Sequence, residues 1–164
     1  MKRIIIALLV LSAGFANAQA FKGKGDIKGQ VGLNLQSGGT GITVTSDFGI
    51  GENMSLGLVG VYMLNADRID DVKPKFEDRA DLKFRFNANI GNVFKLPDNV
   101  DIYPGLSLGL RNFGGHIGAR YFFTNGFGVF AEGSFPLASY DSNLSGFKYY
   151  NNQFVFHIGA SFNL

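Results

Sequence analysis

Apolar and polar residues alternate along most of the chain after residue 26. The clearest run covers residues 80–91, where every second residue from Ala80 to Ile90 is apolar and the intervening ones are polar or glycine. This period of two is that of a β-strand with different environments on its two faces, and no helical period accounts for it. Comparable runs predict eight strands, at residues 27–36, 42–50, 55–64, 80–91, 102–111, 116–123, 127–137 and 152–164.

One face of each predicted strand is free of charge. Leu56, Leu58, Tyr62 and Leu64 are assigned to that face of the third strand, although its two faces are similarly apolar. The opposite faces carry all of the strand charges: Lys28, Asp47, Asp81, Lys83, Arg85, Arg111, Arg120 and Glu132. A soluble barrel would place its charges outside and apolar side chains inside. Because a Lys or Arg facing lipid at mid-depth costs about 2–4 kcal/mol, the pattern predicts a charged interior and a lipid-facing exterior.

The connections between the predicted strands leave no room for parallel crossovers. Turn signals include residues 37–41, residues 96–99 and the Asn125-Gly126 pair, and residues 112–115 are predicted to form a short loop. Hairpins joining an even number of spanning strands predict an all-β fold, an eight-stranded antiparallel up-and-down transmembrane β-barrel. Closing the sheet would leave no unpaired edge in lipid.

The first 18 residues have the features of a cleaved secretory signal. Lys2 and Arg3 precede an apolar run, and Ala16-Asn17-Ala18 is a small-x-small cleavage site. A mature domain over residues 19–164 is therefore expected. Of 15 basic and 13 acidic residues, 13 of each would remain in it, so no nucleic-acid partner is expected. The chain has no Cys, so neither a disulfide framework nor a lipid-anchored precursor is available.

The last strand ends on an apolar residue and carries a polar-x-Gly-x-x-apolar-x-apolar pattern in His157, Gly159, Phe162 and Leu164. This pattern resembles the closing strand of bacterial outer-membrane β-barrels, which the barrel assembly machinery reads, with Leu164 in place of the commoner terminal aromatic. The whole mature chain resembles the small eight-stranded outer-membrane proteins typified by the OmpA transmembrane domain and OmpX. The resemblance implies a monomer in the outer membrane of a Gram-negative envelope, with membrane lipid and the assembly machinery as partners.

With both termini in the periplasm, the two longest loops, residues 65–79 and 139–148, would be extracellular. They are the candidates to hold an external ligand. Acidic and basic residues are interleaved in the first loop at a spacing that matches no calcium loop, so a solvated charged surface is the interpretation and no metal site is assigned.

The interior charges have two interpretations. An eight-stranded barrel is just wide enough for side chains to fill, which favours a structural plug of paired charges over a narrow ion path. His116 and His157 raise the possibility of a lipid-modifying enzyme, but the predicted register places His116 near the outer rim and His157 deeper, and neither lies in a recognisable Ser motif.

No catalytic residue or cofactor is assigned. The sequence thus favours a structural or surface-interaction role through the external loops, with a narrow channel or small-molecule binder as the alternative and an envelope enzyme third.

Overall fold

The computed structural model describes residues 18–141 and 146–164, which form a closed β-barrel. Its strands are β1 (Ile27–Gln36), β2 (Gly39–Gly49), β3 (Met54–Ala66), β4 (Ala80–Ala88), β5 (Val100–Gly109), β6 (Asn112–Phe122), β7 (Phe127–Ser139) and β8 (Val155–Asn163). A short helix α1 (Phe76–Arg79) precedes β4, and a 3₁₀ helix (Gly146–Asn151) precedes β8. No helix in these two ranges has the length and hydropathy to cross a membrane.

Each strand pairs antiparallel with its neighbours in sequence, and β8 returns to β1 to close the barrel. The closing register runs from Lys28 opposite Asn163 to Gln36 opposite Val155. The predicted fold, an all-antiparallel eight-stranded barrel, is confirmed. The predicted signal peptide, apart from Ala18, and residues 142–145 of the predicted last loop lie outside the described residues.

Side chains alternate between the barrel interior and its outer surface along every strand, as period two requires. The third strand follows the assignment made from sequence, since Val59 and Met63 are buried while Leu56 and Leu58 are exposed. The interior therefore collects most of the strands' polar and charged side chains, and the outer surface is apolar.

Several strand ends differ from the sequence-based prediction, and three of them change a predicted turn, loop or strand start. The predicted five-residue turn at 37–41 is only Ser37-Gly38, because β2 already pairs from Gly39. Residues 112–115 were predicted as a loop but belong to β6, because Gly114 and Gly115 pair with β5 despite lacking a side-chain pattern. The last strand begins at Val155 rather than at residue 152, because the 3₁₀ helix reaches Asn151.

The barrel has two unlike ends. The end called here the loop end carries the β1–β2, β3–β4, β5–β6 and β7–β8 connections, and includes α1 and the 3₁₀ helix. The opposite end, called here the terminal end, carries both chain termini and the other three connections. The β4–β5 connection, residues 89–99, is the longest at the terminal end and includes Lys95 with a positive φ of 54°.

Two inward glycines meet at the seam that closes the barrel. Gly32 on β1 stands opposite Gly159 on β8, and Phe130 on β7 pairs with Gly159. A Cβ on Gly159 would lie 2.2 Å from the carbonyl oxygen of Val31, and a Cβ on Gly32 would lie 3.0 Å from Cζ of Phe130. The seam therefore accommodates the large Phe130 ring only because its neighbours lack side chains.

The substitution Gly159→Ala is expected to lower the free energy of unfolding by about 1–3 kcal/mol, because overpacking forces the backbone apart. The matched control is Gly60→Ala, where a Cβ has no neighbour nearer than 3.9 Å. Urea titration of the refolded, detergent-solubilised protein measures both. Equal stability of the two variants would contradict the account of the seam.

Candidate functional site: the charged barrel interior

Arg85 on β4 holds two carboxylates from other strands. Its Nε donates to Oδ1 of Asp47 at 2.6 Å and its Nη2 to Oδ2 of Asp47 at 2.5 Å, a two-pronged contact. Its Nη1 donates to Oε2 of Glu132 at 2.9 Å. All three side chains are buried, so this charge-assisted cluster joins β2, β4 and β7 across the barrel interior.

Neutral side chains complete the hydrogen bonding of the Arg85 guanidinium. Its Nη2 also donates to Oε1 of Gln30 and to Oγ1 of Thr45, both at 3.1 Å. The Thr45 hydroxyl in turn donates to Oε1 of Gln30 at 2.8 Å. A buried charge is tolerated when its donors are matched in this way.

Arg120 on β6 forms a second charged group on the terminal-end side of the first. Its Nε and Nη2 donate to Oδ2 of Asp101 at 3.1 and 2.9 Å, and Nη2 also donates to Oδ1 of Asn89 at 2.5 Å. Its Nη1 lies 3.6 Å from Oδ2 of Asp47. Asp47 therefore links the two guanidinium clusters electrostatically.

The ring of Tyr103 lies between the two arginines and is fully buried. The Cζ atoms of Arg120 and Arg85 are 4.4 and 5.8 Å from its centroid, within the range of cation–π attraction. Gly118 on the adjacent strand admits the ring, because a Cβ there would lie 2.2 Å from Cζ of Tyr103. Two guanidinium groups and one aromatic ring thus occupy the middle of the barrel.

The remaining interior charges form two separate pairs. Lys28 lies 2.5 Å from a carboxylate oxygen of Asp26 and donates to Oδ1 of Asn163 at 2.5 Å, at the terminal end. Lys83 lies 3.3 Å from a carboxylate oxygen of Asp81. Seven of the eight charged residues named from the sequence therefore face the interior, in more than one group.

The eighth, Arg111, corrects the sequence-based assignment. It lies beyond Gly109, where β5 ends, in the two-residue turn into β6 at the loop end. Its Nη2 donates to the carbonyl oxygen of Glu77 at 2.5 Å in an exposed contact between two loops. The alternating pattern of residues 102–111 continues past Gly109, where β5 ends. Arg111 was predicted to face the interior for that reason.

The sequence analysis also missed two interior carboxylates, Asp101 and Asp26. Asp101 belongs to β5, which begins at Val100 rather than Ile102; the same alternation, extended back by one pair, would have placed it inside. Asp26 precedes β1 and is buried against Lys28. The alternation of β1, extended back by one residue, would have placed it inside as well.

The two histidines both lie close to Glu132. His157 stands directly opposite Glu132 in the β7–β8 register, and His116 stands opposite Ser134, two residues away on β7. Nε2 of His116 lies 2.7 Å from Oδ1 of Asn87. The Ser134 hydroxyl donates to Oε1 of Glu132 at 3.4 Å and not to an imidazole. In this register His157 lies two residues deeper than His116, as the sequence predicted. The arrangement does not place a serine nucleophile on a histidine base.

The loops close the barrel at the loop end around Tyr150. Its hydroxyl donates to the carbonyl oxygen of Asp67 at 2.7 Å, and its own carbonyl accepts from Gln36 at 2.7 Å. Gly38, with φ of +78°, leaves room for the ring, since a Cβ there would lie 2.6 Å from it. Burial and the nearby Asp67 carboxylate raise the pKa of Tyr150. Gln36 also reaches the sulfur of the buried Met63, so side chains fill this opening.

The chain segment before β1 lies in the opening at the terminal end. Ala18 and Ala20 are buried against Phe122, and the Ala20 amide donates to the carbonyl of Asp98 at 2.7 Å. Asn163 near the end of β8 donates to the carbonyl of Gln19 at 3.3 Å. Gln19 and Ala20 therefore narrow this opening, beside a small pocket of about 50 Å³ that Phe21 and Asp98 help to line.

The residues of the proposed assembly signal divide between the two faces of the last strand. His157 and Gly159 point inward, whereas Phe162 and Leu164 are exposed on the outer surface. The rings of Phe162 and Phe127 have centroids 5.8 Å apart. Recognition by the assembly machinery remains a prediction.

Replacement of Arg85 by Leu is expected to lower the free energy of unfolding by about 3–5 kcal/mol, because Asp47 and Glu132 would stay buried without their cation. The control is Arg111→Leu, whose exposed guanidinium should contribute within about 0.5 kcal/mol. Unfolding midpoints in urea measure both variants. An unchanged midpoint for Arg85→Leu would remove Arg85 from the account of stability.

One solved structure supports this fold. A structure described as de novo design of transmembrane β-barrels has a TM-score of 0.58 and 9% identity, covering 87% of this chain and 98% of that chain. Outer Membrane Protein G from Pseudomonas aeruginosa, solved by solution NMR, has a TM-score of 0.47 and 10% identity over 88% and 99% of the two chains. No curated protein matches the sequence. Residues 11–164 match the family of unknown function DUF6646, and the chain belongs to that family.

Proposed function

We propose that this protein is an integral outer-membrane barrel with a sealed interior, acting in a structural or surface-interaction role through its external loops. The observation that carries the proposal is the distribution of charge. Every charged residue within the eight strands points into the barrel: Lys28, Asp47, Asp81, Lys83, Arg85, Asp101, Arg120 and Glu132. The outer surface of the strands therefore carries no charged residue, as contact with the acyl chains of a membrane requires.

The outer surface also exposes large apolar side chains over the whole circumference. Val31, Leu33, Phe84, Leu108 and Ile117, from four of the eight strands, are each more than half exposed. Two apolar grooves of about 410 and 480 Å³ lie on this surface. Water-soluble monomers rarely expose so continuous an apolar surface, whereas acyl chains would cover it favourably.

Sealing is supported at three depths. Tyr150 and Met63 fill the loop end, the two guanidinium clusters with Tyr103 fill the middle, and Ala20, packed against Phe122, narrows the terminal end. At each depth, the residues that occupy the interior are buried and make hydrogen bonds or ring contacts. The functional surface is then the set of loops at the loop end.

The proposal places the loop end outside the cell and both termini in the periplasm, as is usual for such barrels. It includes export by a signal peptide over residues 1–18, cleaved after Ala18, and a monomeric protein whose last strand is read by the barrel assembly machinery. The external loops around residues 65–79 and 139–148 would hold its extracellular partner.

The exterior gives a direct test of the membrane assignment. Phe84→Arg, in the middle of β4, should cost about 2–4 kcal/mol of unfolding free energy in phospholipid vesicles, because the cation would face the acyl chains. Phe154→Arg is the control, since Phe154 is similarly exposed but precedes β8 at the loop end, where the cost is about 0–1 kcal/mol. Urea titration in vesicles compares them, and equal costs would contradict a lipid-facing barrel wall.

A narrow channel or small-molecule site is the second candidate. Buried polar atoms without a hydrogen-bond partner in the described part of the chain include Oδ1 of Asn34, Oγ1 of Thr43 and Nδ1 of His157. Asn34 and His157 stand opposite each other on β1 and β8. Such atoms are ordinarily satisfied by buried water, so this part of the interior favours some hydration.

Conductance separates the two candidates. The sealed barrel is expected to give no unitary current in planar bilayers, because the Arg85, Arg120 and Tyr103 side chains fill its middle. Insertion is verified on the same preparation by protection of the strands from protease. Reproducible current steps from inserted protein would favour the channel.

A further inference from the structure

A polar pocket of about 310 Å³ opens at the loop end beside β3. Three of its lining residues are cationic: Arg68, Lys73 and Arg79. Leu64 and Pro74 contribute apolar wall, and no acidic side chain lines it. Within residues 18–141 and 146–164, none of the three cations lies within 4.0 Å of an acidic oxygen in an ion pair. The pocket therefore concentrates positive charge that the fold does not neutralise.

Arg79 is held rigidly at the pocket wall. Its Nε donates to the carbonyl oxygen of Met63 at 2.7 Å, and its Nη2 donates to that of Leu64 at 2.8 Å. Its Cζ lies 4.8 Å from the centroid of the Tyr62 ring. A guanidinium fixed by neutral carbonyls and an aromatic face keeps its full charge for a ligand, and the ligand loses less entropy when it binds a preorganised group.

One acidic group of the same loop has a partner within the loop. The Asp78 carboxylate accepts the backbone amide of Lys75 at 2.9 Å, on the α1 side of the loop. Asp70 and Asp71, with φ of 50° and 60°, form the exposed turn of the loop. The loop is acidic and basic in sequence, but none of its acidic residues lines the pocket.

The pocket adjoins the apolar barrel wall. Leu64 is 60% exposed on the outer surface of β3, and Phe76 is 72% exposed with its ring centroid 5.3 Å from that of Tyr62. An occupant of the pocket would therefore have an anionic group among the cations and an apolar part against Leu64 and Phe76. A phospholipid has both an anionic group and an apolar part.

We propose that this pocket binds the phosphate of a phosphorylated lipid headgroup in the outer leaflet, with the acyl portion against Leu64 and Phe76. Arg68, Lys73 and Arg79 supply charge-assisted donors to the phosphate oxygens, as Arg and Lys do in other phosphate sites. The inference rests on the proposed function, since it needs the loop end at a membrane surface, and it names the ligand class of one external loop.

Native mass spectrometry of the folded protein in a neutral detergent tests the site, with phosphatidic acid as the probe and phosphatidylcholine as the lipid control. The wild-type protein should retain phosphatidic acid in preference to phosphatidylcholine. Replacing Arg68 and Lys73 together by Gln should weaken retention about tenfold or more, because each cation near a lipid phosphate contributes substantially. The control variant replaces the exposed Lys24 and Lys95 at the terminal end by Gln, an equal charge change, and should bind as wild type does.

Competition by inorganic phosphate identifies the source of the anion. Retention of phosphatidic acid in the presence of excess phosphate supports a lipid site, whereas its displacement by equimolar phosphate overturns the lipid assignment. Equal loss of binding in both double variants, or no preference in wild type, overturns the pocket. A protein that inserts into vesicles yet fails these tests contradicts this inference alone, whereas one that does not insert contradicts the proposed function.

Discussion

The structure depends on the contact between Arg85 and its two carboxylates. Asp47, Arg85 and Glu132 lie on β2, β4 and β7, so the ion pairs tie together strands that are not neighbours in the sheet. Inter-strand hydrogen bonds close the barrel wall, but they do not determine which side chains occupy the interior. Because a buried cation must keep its partners, this cluster fixes the middle of the interior, and most apolar side chains of the strands lie on the outer surface.

Most of the fold was predictable because period-two alternation reports the two faces directly. It identified every strand and the correct face of even the ambiguous β3. Its errors lie at strand ends, because alternation does not show where pairing stops. Arg111 was therefore wrongly assigned to the interior, and Asp101 was missed. The start of β6 was predicted as a loop for a related reason. Gly114 and Gly115 carry no side chains, so they show no alternating pattern.

The candidate sites were less predictable because they depend on contacts between distant segments. Nothing near Tyr150 in sequence indicates that its hydroxyl reaches Asp67 or that Gly38 makes room for its ring. Similarly, the loop over residues 65–79 has mixed charge in sequence, and only folding gathers Arg68, Lys73 and Arg79 around one pocket. Sequence thus indicates the environment of each strand residue, whereas loop chemistry requires the tertiary structure.

We propose that this closed barrel is held in the outer membrane. This proposal is tested most directly by expressing the precursor in a Gram-negative host, isolating outer membranes, and comparing boiled and unboiled samples on a denaturing gel. The account predicts a membrane-bound band whose mobility changes on boiling, because a closed sheet with a paired interior resists detergent until heated. A protein that washes free of the membrane and migrates identically in both samples would contradict it.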